Sequence, residues 1–417
     1  MFAGILVIKN KTINDELFIN LRNPGFTSNS FCKNYHIFIH FFHLTLKSFF
    51  FKLVFRLRQT IVTKVTSLWR KVSILATLKD VAAMAGVHPS TVSRVLRGKE
   101  NIPITETTRQ RIKKAAKDLK YLPDERARAL RLGKSHTIGL VVPDISNVFF
   151  AEIAKSIEIE SYEAGYTLVV CDTNEEQEKE VHFVNSLISR GVDGLIIAPV
   201  QDSADHIFEL KEKNYPFVLI DRCFEEMETN AVISDNEDAA FKAVAHLAGL
   251  GHKRVGFLSG RQNIYTIRKR LAGYKKAVEE YNLEKDEALI CGNGFTFESG
   301  YEATFGILSL ANPPTALLIS GNIITLGAIK AILEKGLSIP DDISMIGFTD
   351  NIISPYLVCP LTSISHPLRE MGKKAFDLLI KHVESKDHLP ITEEIIKTQF
   401  YVRKSTSRIL PQVEAAL

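Results

Sequence analysis

The chain has 417 residues, 45% of them hydrophobic and 24% charged, a length for two or three domains and a composition that suits a soluble globular protein with a real core. Five cysteines (Cys32, Cys171, Cys223, Cys291, Cys359) lie far apart with no C-x-x-C pair, which speaks against a zinc cluster or a disulfide scaffold and fits a reducing cytosol. The formal net charge of +4 hides an asymmetry: residues 1–75 carry 11 Lys+Arg against 2 Asp+Glu, residues 76–134 carry 14 against 6, and residues 135–417 carry 27 against 40. A basic amino-terminal third on an acidic body points to a polyanion-binding module joined to something else; a solvated basic surface is the plain alternative.

Residues 1–75 differ from the rest and hold 11 of the 25 phenylalanines. Within "NYHIFIHFFHLTLKSFFFKLVFRLR" the uncharged run Asn34–Leu46 falls short of the ~20 apolar residues that span a bilayer. Lys47, Lys52 and Arg56 then interrupt it, so stable membrane insertion is not expected. The run comes late and no small-residue cleavage site follows, unlike a secretory signal. His36, His40 and His43 have helical spacing, but no carboxylate or cysteine stands near to complete a ligand set, and no metal is expected. The segment reads as a poorly structured extension, or as translated upstream sequence ahead of a start near Leu75; interfacial membrane association is the alternative.

From Thr77 the pattern changes. Leu78–Ala85 reads as a helix with Val81, Ala82 and Ala85 on one face, ended by Gly86. The stretch "VHPSTVSRVLRGK" (Val87–Lys99) follows, with a helix over Pro89–Arg97 started by proline and a buried stripe of Val92, Val95 and Leu96. A third helix, Glu106–Leu119, is capped by Thr105 and closes a small core with Ile112, Ala115, Ala116 and Leu119. Two helices joined by a tight turn and followed by a third form the frame of a helix-turn-helix. Its second helix exposes Ser90, Thr91, Ser93, Arg94 and Arg97, hydroxyls and guanidinium groups suited to phosphates and base edges.

The run "TLKDVAAMAGVHPSTVSRVL", continued by "TRQRIKKAAKDLKYLP", resembles the signature of the lac-repressor (LacI/GalR) family. The resemblance implies a recognition helix at Pro89–Arg97 in the major groove. It also implies a hinge helix over "PDERARALRLG", about 123–133, with Ala127 and Leu130 entering the minor groove. By the same resemblance the DNA contacts are Thr77, Leu78, Lys79, His88, Pro89, Ser90, Thr91, Ser93, Arg94 and Arg97, then Thr105, Thr108 and Tyr121, then Asp124, Ala127 and Leu130. His88 departs from the family's usual serine cap, and Arg97 from a frequent asparagine.

After Thr137 short apolar strands alternate with amphipathic helices. The strands are "TIGLVV", "YTLVVC", "DGLIIAP", "FVLID", "RVGFLS", "TALLIS" and "SMIGF". Such alternation means parallel sheets covered on both faces, and the stretch is too long for one. Residues 135–405 resemble the periplasmic-binding-protein-like core of the same family, two Rossmann-like subdomains joined by three crossing segments, here expected near Ser234–Asn236, near Thr349–Ile352 and around residues 386–390. The markers are "VPDISNVFFAEI", "LIDR", "GHKRVGFLSG", "R-x-x-G-Y", "IPDDISMIGF" and "PLTSI". Residues 406–417 form a tail. Ligands of such folds bind beyond the carboxyl ends of the strands, between the lobes.

The effector candidates at those strand ends are Asp144, Ser146, Asn147, Phe149 and Phe150, then Asp221 and Arg222, Thr266 and Arg270, Phe295, and Thr349 with Asp350. Carboxylates and amides grip hydroxyls, aromatic rings cover a sugar face, and arginine pairs with oxygen. Arg270 matches the family's effector arginine by its spacing to Gly273. Phe149 and Phe150 serve equally as helix-start core residues, and Asp221 as a loop cap. Thr349 stands where the family often has aspartate, and Gly321-Asn322 where an Asn-Asp pair is common, which points away from a plain neutral hexose.

No phosphate-binding P-loop or dinucleotide fingerprint occurs, and no nucleophile, base and orienter assemble. Neither an enzyme nor a cofactor is expected. The expected molecule is an all-α helix-turn-helix headpiece on an α/β core, a cytoplasmic bacterial transcription regulator, a repressor. It works as a homodimer on double-stranded operator DNA and answers to a sugar, sugar acid or sugar phosphate. A sugar-binding receptor without DNA function is the alternative, and a sugar-metabolising enzyme on the same fold is the weaker rival.

Overall fold

A computed structural model describes residues 5–9, 16–20, 76–96, 103–122, 133–348, 350, 353–385 and 389–409. The chain divides into two compact units, 1–123 and 124–417, each taken by itself.

In the first unit β1 (Ile5–Lys9) and β2 (Glu16–Asn20) pair antiparallel. Both are rich in residues that favour strands, so this part of the amino-terminal extension is structured. Helix α1 (Leu78–Ala85) is held at its start by a reciprocal cap. Thr77 Oγ1 accepts from the Asp80 amide at 3.3 Å and the Thr77 amide donates to Asp80 Oδ2 at 2.8 Å, which satisfies two amides that helix geometry leaves without partners. Gly86 ends the helix in the left-handed region at φ 62°, where a Cβ costs energy. Helix α2 (Pro89–Leu96) and helix α3 (Glu106–Asp118, capped by Thr105) follow. Val81, Ala82, Ala85, Val92, Val95, Ile112 and Ala115 form the core, with Leu78, Leu96, Leu119 and Tyr121 packed against it. Arg111 Nε donates to the Ala85 carbonyl at 2.8 Å, placing a cation at the negative end of α1.

The second unit holds two six-stranded sheets. The first runs β13 (Glu393–Ile396), β7 (Ala231–Ser234), β6 (Phe217–Ile220), β5 (Gly194–Ile197), β3 (Thr137–Val142), β4 (Thr167–Asp172), all parallel. Helices α4 (Val148–Glu163) and α11 (Leu368–Glu384) cover one face, α5 (Gln177–Ser189) and α6 (Asp205–Glu212) the other. The second sheet runs β14 (Gln399–Tyr401), β12 (Thr362–Ser365), β11 (Ser344–Phe348), β10 (Ala316–Ile319), β8 (Val255–Leu258), β9 (Ile290–Cys291), with β14 alone antiparallel. Helices α7 (Asn236–Gly249) and α8 (Tyr265–Glu280) lie on one face, α9 (Phe297–Ile307) and α10 (Asn322–Glu334) on the other. Helices α7 and α8 approach so closely that a Cβ on Gly273 would sit 2.1 Å from the Glu237 carbonyl oxygen. That contact seats the preceding turn of α8, which carries Arg270, beside Asn236.

The chain passes between the lobes three times. The first passage is at Asp235, between β7 and α7, where the sequence places it. The other two differ from expectation. The second is at His366–Pro367, because β12 is the last parallel strand of the second sheet and α11 returns to cover the first. The third is at Lys397–Thr398, between β13 of the first sheet and β14 of the second. Asp350 therefore stays within the second lobe, and Leu389–Pro390 joins α11 to β13 within the first; Thr349, residues 351–352 and residues 386–388 lie outside the described residues.

Candidate nucleic-acid interface and ligand cavity

Helix α2 buries Val92 and Val95 and turns the opposite face outward. Ser90 and Arg94 are exposed there, with Thr91 and Ser93 partly so. His88 takes the role of the usual serine cap: its Nδ1 accepts from the Ser90 amide at 3.3 Å and lies 2.8 Å from Ser90 Oγ. An accepting Nδ1 puts the ring proton on Nε2. Among the other expected contacts, Lys79 is exposed and Leu78 and Tyr121 are half-buried against the core. Thr77 and Thr105 cap helices, and Thr108 bonds Thr105 through both its amide and its hydroxyl. Arg97, Asp124, Ala127 and Leu130, and with them the hinge helix, lie outside the described residues, as do His36, His40 and His43.

A cavity of about 580 Å³ opens beyond the carboxyl ends of the strands of both lobes. Asp144, Ser146, Asn147, Phe149, Phe150, Asp221, Arg222, Thr266, Arg270 and Phe295 all line it. Asn147 caps α4 by accepting from the Phe149 amide at 3.1 Å, and also accepts from Asn322 Nδ2 of the other lobe at 2.9 Å. Asp144 binds the Ser146 amide and hydroxyl at 2.8 and 2.6 Å. Arg222 is buried, its guanidinium carbon 5.8 Å from the Phe150 ring and 5.6 Å from the Phe295 ring. Phe149 and Phe150 are at once cavity walls and core.

Charges in the cavity are matched. Arg222 forms a two-pronged pair with Glu175 at 2.8 and 3.0 Å, and Glu175 also receives Arg261 of the second lobe at 2.8 Å. Burial works against the Arg222 charge, but Glu175, joined by Asp221 and Glu180, outweighs it and raises the pKa. Asp221 stands at φ 64° and is buried, and burial raises its carboxyl pKa against the pull of Arg222 and Arg270. Arg270 is buried too, and burial brings its pKa down to about 10 while Asp221 opposes the shift. Three buried polar atoms of lining residues make no hydrogen bond: Asp221 Oδ1, Arg222 Nε, which lies 3.9 Å from Asp221 Oδ2, and Ser320 Oγ. Native interiors seldom leave such groups without a hydrogen bond.

Asp350 does not line this cavity. Its carboxylate is held by Arg403 at 2.8 and 2.9 Å and by Ser363 at 2.8 Å, beside a second cavity of about 800 Å³ that also touches Phe149 and His366. Arg403, 53 positions downstream, claims the charge that the sequence offers to a ligand. Burial works against the Asp350 charge, but Arg403 and Ser363 hold its carboxyl below the usual range.

Residues 77–124 match the model for bacterial regulatory proteins of the lacI family, and residues 244–406 that for a periplasmic binding protein-like domain. The transcriptional repressor CytR of Escherichia coli K12 is 33% identical over 342 residues, covering 82% of this chain and 99% of CytR. The repressor PurR of Aliivibrio fischeri is 34% identical over 318 residues, 75% of this chain and 94% of PurR. The chain belongs to the LacI family. Among solved structures, the lac repressor dimer bound to operator and the anti-inducer ONPF aligns with TM-score 0.71 and 27% identity over 80% of this chain and 99% of that one. A LacI-family regulator of Enterococcus faecium with bound ribose aligns with TM-score 0.59 and 29% identity, over 66% and 100%.

This LacI-family chain is thus a DNA-binding transcription regulator with a helix-turn-helix headpiece and a two-sheet α/β core. Among the described residues no helix is long and apolar enough to cross a membrane, and no group of His, Cys, Asp and Glu could hold a metal. Sequence reasoning missed Asn174, Glu175, Arg261 and Ser320 in the cavity. The available signal was position: Asn174 and Glu175 follow β4, Arg261 follows β8 and Ser320 follows β10, all at carboxyl ends of strands.

Proposed function

We propose that this chain is a cytoplasmic repressor whose dimer holds operator DNA through α2 and whose operator affinity is set by a neutral polyhydroxyl ligand between the lobes. Residues 76–134 serve as headpiece and hinge, 135–405 as effector and dimerisation core, 1–75 as a family-foreign extension and 406–417 as tail. On the DNA side Ser90, Thr91, Ser93, Arg94 and Arg97 face the operator, with Leu130 in the minor groove. The observation that carries the ligand reading is an aromatic-walled cavity at the strand ends of both lobes, lined by carboxylates, guanidinium groups and amides. A hydroxyl group can donate to a carboxylate and accept from a guanidinium at once. The lining holds three carboxylates (Asp144, Glu175, Asp221) against three arginines (Arg222, Arg261, Arg270). An acid or phosphate would bring charge to a site already balanced, so a neutral sugar is favoured over the charged forms. Ligand contacts from both lobes shift their relative orientation, and with it operator affinity.

Thermal shift with ribose, cellobiose, gluconate and ribose 5-phosphate tests the ligand class, since ribose and cellobiose are the ligands named in two structural relatives. Stabilisation by a neutral sugar supports the reading, and stabilisation by the charged compounds alone overturns it. Gel-shift selection from random duplexes tests the DNA side. Arg94→Ala should cost ~1–3 kcal/mol at one base position, and unchanged base preference would remove α2 from the major groove. No turnover of a bound sugar is expected.

A further inference from the structure

The ligand cavity and the passages between the lobes meet at one guanidinium. Arg270 Nε donates to Asn236 Oδ1 at 2.7 Å, Nη1 donates to the Ser320 carbonyl at 2.6 Å, and Nη2 lies 3.4 Å from His366 Nε2. All four residues are buried. Asn236 directly follows the first passage and His366 is half of the second. The third joins the first through Asp235, whose Oδ1 accepts from the Thr398 amide at 2.8 Å and whose Oδ2 lies 3.4 Å from Lys397 Nζ. Two residues, Asp235 and Arg270, therefore tie the three connections together, and of these Arg270 lines the cavity.

The arrangement admits little slack. The Arg270 guanidinium carbon stands 4.3 Å from the centre of the Phe348 ring, and the His366 ring is set edge-on to Phe149 at 5.4 Å. To receive Arg270, His366 Nε2 must be unprotonated, and burial together with Arg270 keeps its pKa well below the ordinary histidine value. Moving either passage away from Arg270 strips a buried donor of its acceptor, a cost that makes the tie all-or-none rather than elastic.

We propose that Asn236 and His366 are positioning residues that transmit ligand contact at Arg270 to the passages between the lobes and so set operator affinity. The ligand half of this rests on the cavity being the effector site; the hinge half does not. The test is a double-mutant cycle on the full-length dimer, using an operator duplex selected with the wild-type protein and no ligand. Asn236→Ala and His366→Ala should each change operator Kd by about three- to thirty-fold. The double variant should change it no more than the larger single change, because both act through one guanidinium. His366→Gln, whose amide oxygen can accept in place of Nε2, should stay within about two-fold of wild type. Unchanged single variants, multiplying effects, or a glutamine variant as altered as alanine would each overturn the proposal, and a merely structural role predicts the second and third. If the alanine variants melt below the assay temperature, Asn236→Ser and His366→Asn complete the same cycle. In a second arm, ribose binding is measured beside its effect on operator Kd. Asn236→Ala should erase that effect while altering ribose Kd by less than about three-fold. If neither ribose nor another sugar of the thermal-shift set acts on the wild type, the cavity reading fails, while the ligand-free cycle still decides the hinge.

Discussion

Glu175 and Arg261 bond across the lobes at 2.8 Å, and the same carboxylate holds Arg222 within its own lobe. Arg222 is almost fully buried whereas the Glu175 side chain is a quarter exposed. Removing the carboxylate strands a buried cation, which costs about 3–5 kcal/mol in a wholly buried pair. Solvent at Glu175 reduces this, and we expect Glu175→Gln to lower stability by ~1–3 kcal/mol and to loosen the contact between the lobes. Denaturant titration measures the first effect and small-angle scattering the second. A variant as stable and compact as wild type would show that the triad contributes nothing.

His88 caps α2 with a ring nitrogen instead of a hydroxyl. Losing a cap costs about 1 kcal/mol, so His88→Ala should destabilise the first unit by that amount, while His88→Ser should restore it. Hydrogen exchange of the α2 amides reads the difference directly. Equal exchange in all three proteins would mean that the imidazole does not cap.

Asp221 is a buried carboxylate whose pKa is raised by burial. The folded state therefore binds its proton more tightly than the unfolded chain, and stability falls as pH rises from the ordinary carboxylate value of 3.8 through the folded pKa. Asp221→Asn removes that penalty, and asparagine tolerates the left-handed backbone found there. We expect the variant to melt higher at neutral pH while losing ligand affinity, the exchange of stability for function common at binding sites. Melting curves and sugar titrations of the two proteins check both halves; a lower Tm would refute the first.

Burial lowers the pKa of His246, His252 and His366 below the ordinary 6.5, with Arg270 adding to the shift at His366. Below pH about 6.5 the unfolded chain takes up protons that the folded state refuses, so stability held above that pH is lost as pH falls. His252, bonded to Thr315 and to the Ser407 carbonyl, allows a clean comparison. His252→Gln should lose less Tm between pH 7.5 and pH 5.5 than wild type, and equal losses would place the acid sensitivity elsewhere.

Much of this was legible in the sequence because it follows from periodicity and turn chemistry. The three headpiece helices, their caps at Thr105 and Gly86, and the parallel strands of both lobes carry strong local signals. Ten of the twelve effector candidates line the cavity, most of them because strand ends are easy to locate and Arg270 because the family resemblance marks it by its spacing to Gly273. The second and third passages were misplaced because β13 and β14 are only four and three residues long and because α11 rejoins a sheet that begins some 230 residues earlier. Glu175 and Arg261 resemble ordinary loop charges until the fold brings them together, and Asp350 resembles a ligand residue until Arg403 reaches it. Such pairings are set by tertiary distance, which local pattern does not encode.

The threefold passage of the chain has a consequence for how such a regulator can change. Helix α11 and strand β13 belong to the first lobe yet follow almost the whole second lobe in the sequence. No single continuous segment of the gene encodes either lobe. Recombination cannot exchange one lobe for another's as a cassette, and a premature stop ahead of β13 damages both. New ligand preferences must therefore arise by substitution at the cavity wall, one residue at a time, within a frame inherited whole.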